Sequence, residues 1–165
     1  MNEVWVANAS PIIVLAKCGY LDLLSKLSRE VLIPQAVVDE IVAGPQADPA
    51  RQLIENGWGA RAVPRLVALE LLEWGLGPGE TSVLALAQER APAIAVLDDA
   101  AARTCAKVIG MRVIGSLGVI LRAKKQGLLP SAAEAMKTMC DAGMYLDNQI
   151  IRRALQQVGE SWNPE

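Results

Sequence analysis

Four short stretches of this chain place a carboxylate, or its amide analogue, where a strand or loop turns into a helix. They are Asn8 in VANASP, Glu40 in AVVDEI, Glu80 in GPGETS, and Asp98 with Asp99 in AVLDDAA. The spacing acquires meaning only in a fold that brings those turns together. An open parallel sheet does so, and it takes its ligands outside the carboxyl ends of its strands.

The rest of the chain alternates accordingly. Strands are expected at Glu3–Ala7, at Val31–Ile33 before Pro34, at Ala60–Val63, at Ile94–Leu97 and at Arg112–Ile114. The unbroken apolar run at Ile94–Leu97 is of the kind a buried parallel strand carries. Ser10 reads as a helix N-cap with Pro11 at the first helical position, followed by an apolar helix to Lys17. Further helices are expected at Leu21–Leu27, Gln35–Ala43 and from Asp48–Pro49 to Asn56. Leu66, Leu69, Leu71 and Leu72 mark another, ending at Gly75. A Gly-rich loop then launches a helix over Glu80–Arg90. Asp98–Asp99 caps one reaching Ile109, and Gly115–Lys125 forms the next. After Pro130 the pattern is helical only, with Ala132–Cys140 and Asn148–Val158, and Ser161–Glu165 reads as a frayed end. The pattern predicts an α/β fold with a parallel sheet. It reads as one domain over residues 1–165, with an α/β core at 1–129 and a helical extension at 130–160.

Composition narrows the chemistry. The 165 residues include no histidine, which excludes Ser-His-Asp and Cys-His catalysis and histidine metal ligands. Three cysteines, Cys18, Cys105 and Cys140, have no metal-type spacing and read as free thiols. Acid–base or metal chemistry must then come from carboxylates, Lys, Tyr or Cys. Eighteen acidic residues against sixteen basic leave a net charge of −2, so nucleic-acid binding would have to rest on a local patch. Arg103 and Lys107, one turn apart beyond the Asp pair, can contact phosphates, as can Arg122 and Lys124 at a helix end. Arg152 and Arg153 form a second basic pair. Phe is absent and Trp5, Trp58, Trp74 and Trp162 are scattered, so no aromatic stacking platform is expected. No apolar run is long enough to span a membrane and no signal peptide is evident; the expected location is the cytoplasm.

If the first and fourth strands are neighbours, Asn8, Asp98 and Asp99 converge, with Glu80 and Glu40 close by. Clustered carboxylates repel one another unless a cation sits among them. Hard cations take oxygen ligands and retain several waters. A cation so placed acidifies water and stabilises charge on a phosphate, the chemistry of a metal-dependent nuclease. Each residue also has a local role open to it: Asp98 and Asp99 as helix caps, Glu80 as a first-turn acid, Glu40 as a solvated helix residue, Asn8 in a turn.

The segments VANASPIIVLAKCGYLDLL, VLIPQAVVDEI, GPGETSVLALA, AIAVLDDAAAR and GMRVIGSLGVILRAKKQGLL, in that order, resemble the PIN-domain superfamily. The likeness is to a VapC-like branch whose members begin with an Asn-x-Ser-Pro segment, and it covers residues 4 to 129. The resemblance implies a three-layer α/β/α fold with a central parallel sheet of about five strands. It implies Mg²⁺ or Mn²⁺ and cleavage of RNA phosphodiester bonds. Carried onto this chain, Glu40, Glu80 and Asp98 are the catalytic acids. Asn8, Glu80, Asp98 and Asp99 are the metal ligands, and Ser10 and Ser116 assist. It further implies an antitoxin protein partner, as in a type II toxin–antitoxin pair, and a homodimer, for which Leu66–Leu72 and Ala132–Cys140 offer apolar surface. Two departures stand out: Asn8 replaces the usual Asp, and Glu80 is one methylene longer than the usual Asp. A domain that has lost catalysis and acts by binding RNA or protein is the alternative. GPGE is also a generic phosphate-binding turn, but it lacks the lysine of a P-loop and the spacing of a dinucleotide fingerprint.

Overall fold

The computed structural model describes residues 3–163. Its sheet has five strands, all parallel: β1 (Val4–Ala7), β2 (Glu30–Pro34), β3 (Ala60–Ala62), β4 (Ala93–Val96) and β5 (Arg112–Ile114), in the order β3-β2-β1-β4-β5. Among the described residues ten helices surround it: α1 (Ala9–Lys17), α2 (Asp22–Leu27), α3 (Gln35–Val42), α4 (Pro49–Glu55), α5 (Leu69–Leu72), α6 (Pro78–Glu89), α7 (Ala100–Val108), α8 (Ser116–Lys125), α9 (Ala132–Asp141) and α10 (Asn148–Gln156).

Strand order follows from what each strand must bury. β1 and β4 are apolar at every position and buried at every position, as central strands covered on both faces must be. β3, three residues long and only partly buried, closes one edge, where shortness guards against unwanted pairing. The chain leaves β1 toward β2 and later returns to β4 on the other side of β1. Right-handed crossovers therefore put the two sets of connections on opposite faces. The packing agrees: α6 lies against β1, β2 and β4 and touches α5 and α7, while α8 packs with α2, α9 and α10. The result is the expected three-layer α/β/α arrangement.

Several local expectations give way to tertiary geometry. Ser10 is not a cap: α1 begins at Ala9, Asn8 holds the N-cap position, and Ser10 lies exposed in the first turn. Pro11 is tolerated there because first-turn N–H groups have no intrahelical acceptor. The leucine-rich helix shrinks to the single turn α5, with Leu71 buried and Leu66, Leu69 and Leu72 in solvent. α6 starts at Pro78, two residues before Glu80. In the expected frayed end, Trp162 is buried and its Nε1 donates to Asn148 Oδ1 at 3.0 Å. Residues 164–165 of that end lie outside the described residues. Burial raises the pKa of all three free thiols, Cys18, Cys105 and Cys140, so they behave as small apolar groups.

The C-terminal helices join the main core through Met136, Met139, Ile151 and Leu155. Glu160 fastens them. Its carboxylate accepts from Ala132 N (2.8 Å), Ala133 N (3.1 Å) and Ser131 Oγ (3.0 Å), the unpaired donors at the start of α9. Lys124 Nζ lies 3.8 Å away. Desolvation alone would raise the pKa of Glu160, but these donors and the lysine outweigh it and hold the carboxyl below its ordinary value of 4.5. A depressed folded pKa stabilises the protein above the unfolded pKa, and this contribution is lost as pH falls through the folded value. Glu160→Gln is therefore expected to lower stability by about 1–2 kcal/mol at pH 7. In urea melts between pH 7 and pH 3 the gap to wild type should close on the acid side.

Candidate active site

The last pair of the β1–β4 ladder is Ala7 with Val96, so the next residues of both strands leave the sheet side by side. Asn8 N donates to Val96 O at 3.1 Å. An N-cap asparagine ordinarily turns its side-chain oxygen onto the first turn of its own helix. Asn8 makes no such bond. It is 3% exposed, and its Oδ1 has no hydrogen-bond partner. A buried carbonyl left unpaired costs about 1–3 kcal/mol.

That oxygen lies close against a glycine. A Cβ at Gly79, in the first turn of α6, would stand 3.1 Å from Asn8 Oδ1, 3.6 Å from Val37 Cγ2 and 3.7 Å from Glu40 Oε2. The end of β1, the outer turn of α3 and the start of α6 thus surround one small cradle, with two oxygens turned into it.

Asp98 is set from the other side. Leu97 N donates to Ile114 O at 2.9 Å, which carries Asp98 alongside the start of α8. Its Oδ1 accepts from Ser116 N (2.7 Å) and its Oδ2 from Ser116 Oγ (2.6 Å). Ser116 is fully buried, so the carboxylate is held rigidly. A carboxylate oxygen has two lone pairs, and each oxygen of Asp98 keeps one beyond its bond to Ser116. Gly115 permits the crowding: a Cβ there would lie 2.9 Å from Asp98 Oδ1 and 2.6 Å from Arg103 Nη1. Arg103 Nη1 itself donates to Leu97 O at 3.1 Å.

Glu40, Asp98 and Ser10 line one cleft of about 520 Å³, together with Met144 and Lys17. Lys17 was missed in the sequence, although helical spacing signals it: Ser10, Ile13, Val14 and Lys17 fall at i, i+3, i+4 and i+7 and all line the cleft. Other expected site residues stand apart. Glu80, a first-turn acid of α6, turns its Oε2 back toward Gly77, to 2.7 Å from where a Cβ would sit. Asp99 caps α7, its Oδ2 accepting from Ala102 N at 2.9 Å. Lys107 is exposed on α7. Arg122 lies over the Trp5 ring, 5.6 Å from its centroid, and Lys124 Nζ donates to Pro130 O at 2.7 Å. The charges of Arg122 and Lys124 hold the fold together rather than face the cleft.

Among the described residues no three of His, Cys, Asp or Glu stand close enough together to hold a metal ion. The five expected ligands and acids do not form one compact carboxylate cage. The donors that do face the cradle and cleft are all oxygens: Asn8 Oδ1, Glu40 and Asp98. An orphaned carbonyl, an unengaged carboxylate and a rigid second carboxylate fit a hard divalent cation that keeps several of its waters. They do not fit a metal that needs nitrogen or sulfur.

Ser116→Ala removes the 2.6 Å hydroxyl bond to Asp98 and leaves a small void in a fully buried position. A loss of about 1–2 kcal/mol in denaturant unfolding is expected. An unchanged midpoint would mean that the bond does not hold Asp98.

The chain matches the DUF3368 family model, described as a PIN domain, over residues 4–160. No curated protein matches it. PIN domains are generally nucleases, and the all-parallel five-stranded sheet with acids at its carboxyl edge is a nuclease-type fold. From Val4 to Glu160, through both C-terminal helices as well as the α/β core, this chain belongs to the PIN-domain family.

Proposed function

We propose that the protein is a Mg²⁺- or Mn²⁺-dependent ribonuclease that cleaves RNA phosphodiester bonds. The observation that carries this reading is the buried, unpaired Asn8 Oδ1 facing Glu40 across the space in front of Gly79. An unpaired buried carbonyl is costly unless something occupies the space it faces. Asn8, Glu40 and Asp98 would hold the cation; Glu80, turned toward Gly77 at the start of α6, would have to swing round to join them. When bound, the cation supplies positive charge against the phosphate and a more acidic water. Glu40, exposed at the rim, is placed to accept a proton. Ser116 fixes the direction of Asp98, and Ser10 presents a hydroxyl from the first turn of α1. Asp99 supports the site indirectly, by starting α7 beside Asp98.

The reading extends to a toxin of the cytoplasm restrained by an antitoxin protein, and to a homodimer. Support for partners comes from Leu66 and Leu69, 76% and 70% exposed beside the edge strand β3. In the Ala132–Cys140 stretch, Ala132, Ala135, Met136 and Met139 are buried in the core, which leaves less apolar surface for this purpose. No helix among the described residues is long and apolar enough to cross a membrane.

A second reading is favoured by Asn8 itself. An amide brings no charge, and among the described residues the acids form no three-membered cluster. A domain so depleted would act by binding RNA or protein. One assay separates the two: a mixed RNA pool incubated with purified protein plus Mn²⁺ or Mg²⁺, and with chelator. The nuclease reading expects cleavage only with metal, reduced roughly 100-fold in Asp98→Asn and Glu80→Gln. Folded, partner-free wild type that cleaves nothing, with activity appearing in Asn8→Asp, would establish the binding module instead.

A further inference from the structure

A second groove of about 840 Å³ runs between α8 and α10. Asp98 and Met144 line both it and the carboxylate cleft, so the two are continuous at that point. Its floor is apolar: Leu117 and Leu121, one turn apart on α8, face Ile150 on α10. Arg103 and Arg153 line it as well, and Asp98 at its mouth is its only acid. Neither guanidinium joins an ion pair among the described residues. The turn after α9 passes through Gly143, at φ +102°, and delivers Tyr145 to the groove with 91% of its surface exposed. No aromatic platform was expected from the sequence, because Phe is absent and the four Trp are scattered.

We propose that this groove binds the single-stranded RNA that flanks the scissile bond. Bases lie on Tyr145 and the leucine floor, and phosphates meet Arg103 and Arg153. The inference rests on the carboxylate cleft being a phosphodiester site: a polymer whose bond sits at Asp98 must continue past it, and this groove is the outlet. Charge complementarity supplies the second argument. Two guanidiniums with no ion-pair partner among the described residues, Arg103 held by Leu97 O, stand beside an apolar floor and suit a chain with an anionic backbone and flat, apolar faces. Aromatic and arginine side chains bind single strands by stacking, without regard to base sequence. A peptide with apolar side chains would use the floor but leave both guanidiniums unanswered.

The test is fluorescence anisotropy with a labelled single-stranded oligoribonucleotide of mixed sequence, in chelator so that no cleavage occurs. Tyr145→Ser and Arg153→Gln change exposed side chains, and Arg29→Gln, on the turn before β2, serves as a control. Each groove variant is expected to weaken binding about tenfold. Arg153→Gln should also lower the slope of log affinity against log salt by roughly 0.7, and the control should match wild type. Equal binding by wild type and both groove variants would overturn the proposal. So would displacement of nothing by the oligonucleotide while an acidic peptide occupies the groove. The nuclease reading is judged separately. Oligonucleotide binding that depends on Tyr145 and Arg153, in a protein that cleaves no RNA with metal, upholds the groove and removes the nuclease. Cleavage whose KM is unchanged in both variants does the reverse.

Discussion

Everything at the site depends on the parallel pairing of β1 with β4. Val4 to Ala7 run beside Ala93 to Val96 in register, at the point where the order of the sheet reverses direction. A parallel sheet with such a reversal leaves a crevice beyond the carboxyl ends of the two strands, since their connections depart to opposite faces. Asn8 and Asp98 are the residues that leave the sheet on either side of that crevice. Without this pairing they would be two polar residues ninety positions apart, each with a local helix start to serve.

Two glycines then decide what the crevice can hold. Gly115 lets Asp98, Ser116 and Arg103 crowd together, so one wall is rigid. Gly79 puts no side chain between Asn8 and Glu40, so on the other wall nothing of the protein separates the two oxygens there. The site combines a carboxylate fixed by two hydrogen bonds with a buried carbonyl that has none. That asymmetry is informative: Glu160, which only holds structure, meets three donors at α9, whereas Asn8 Oδ1 and, three residues earlier on β1, Trp5 Nε1 are buried without a partner among the described residues. Of the two, Asn8 Oδ1 lies beside a carboxylate, that of Glu40, and an orphaned carbonyl next to an unengaged acid marks a place where a cation would complete the structure.

The sheet was largely legible in the sequence because its central strands are continuous apolar runs. All five strands fall where those runs and their bounding Gly and Pro residues place them. The site was legible only in outline. That Asn8, Glu40 and Asp98 would approach one cleft follows from strand order, and strand order could be stated beforehand only as a condition. Ser10 carried every local mark of a cap, yet the direction in which β1 leaves the sheet makes Asn8 the capping position. Leu66 and Leu69 had helical spacing, but the chain there is pinned instead by Glu89, whose carboxylate accepts from Arg65 N and Leu66 N. Arg122 and Lys124 looked like phosphate contacts because charge is visible in sequence and its partners are not. Tyr145 and Lys17 were overlooked, and Arg153 was seen only as half of a basic pair, for the same reason: their significance comes from long-range packing around Asp98.

The central claim is that the space in front of Gly79 is a cation site. Gly79→Ala addresses it most directly, because the added methyl would stand 3.1 Å from Asn8 Oδ1 and in ordinary contact with Val37 and Glu40 Oε2, adding bulk between the two oxygens while removing no charge. Mn²⁺ binding would be followed by electron paramagnetic resonance, in wild type and in this variant, with thermal unfolding as a check on the fold. The account predicts that wild type takes up Mn²⁺ and that Gly79→Ala, still folded, binds it at least tenfold more weakly. Equal affinity in both proteins, or no uptake by wild type, would contradict it.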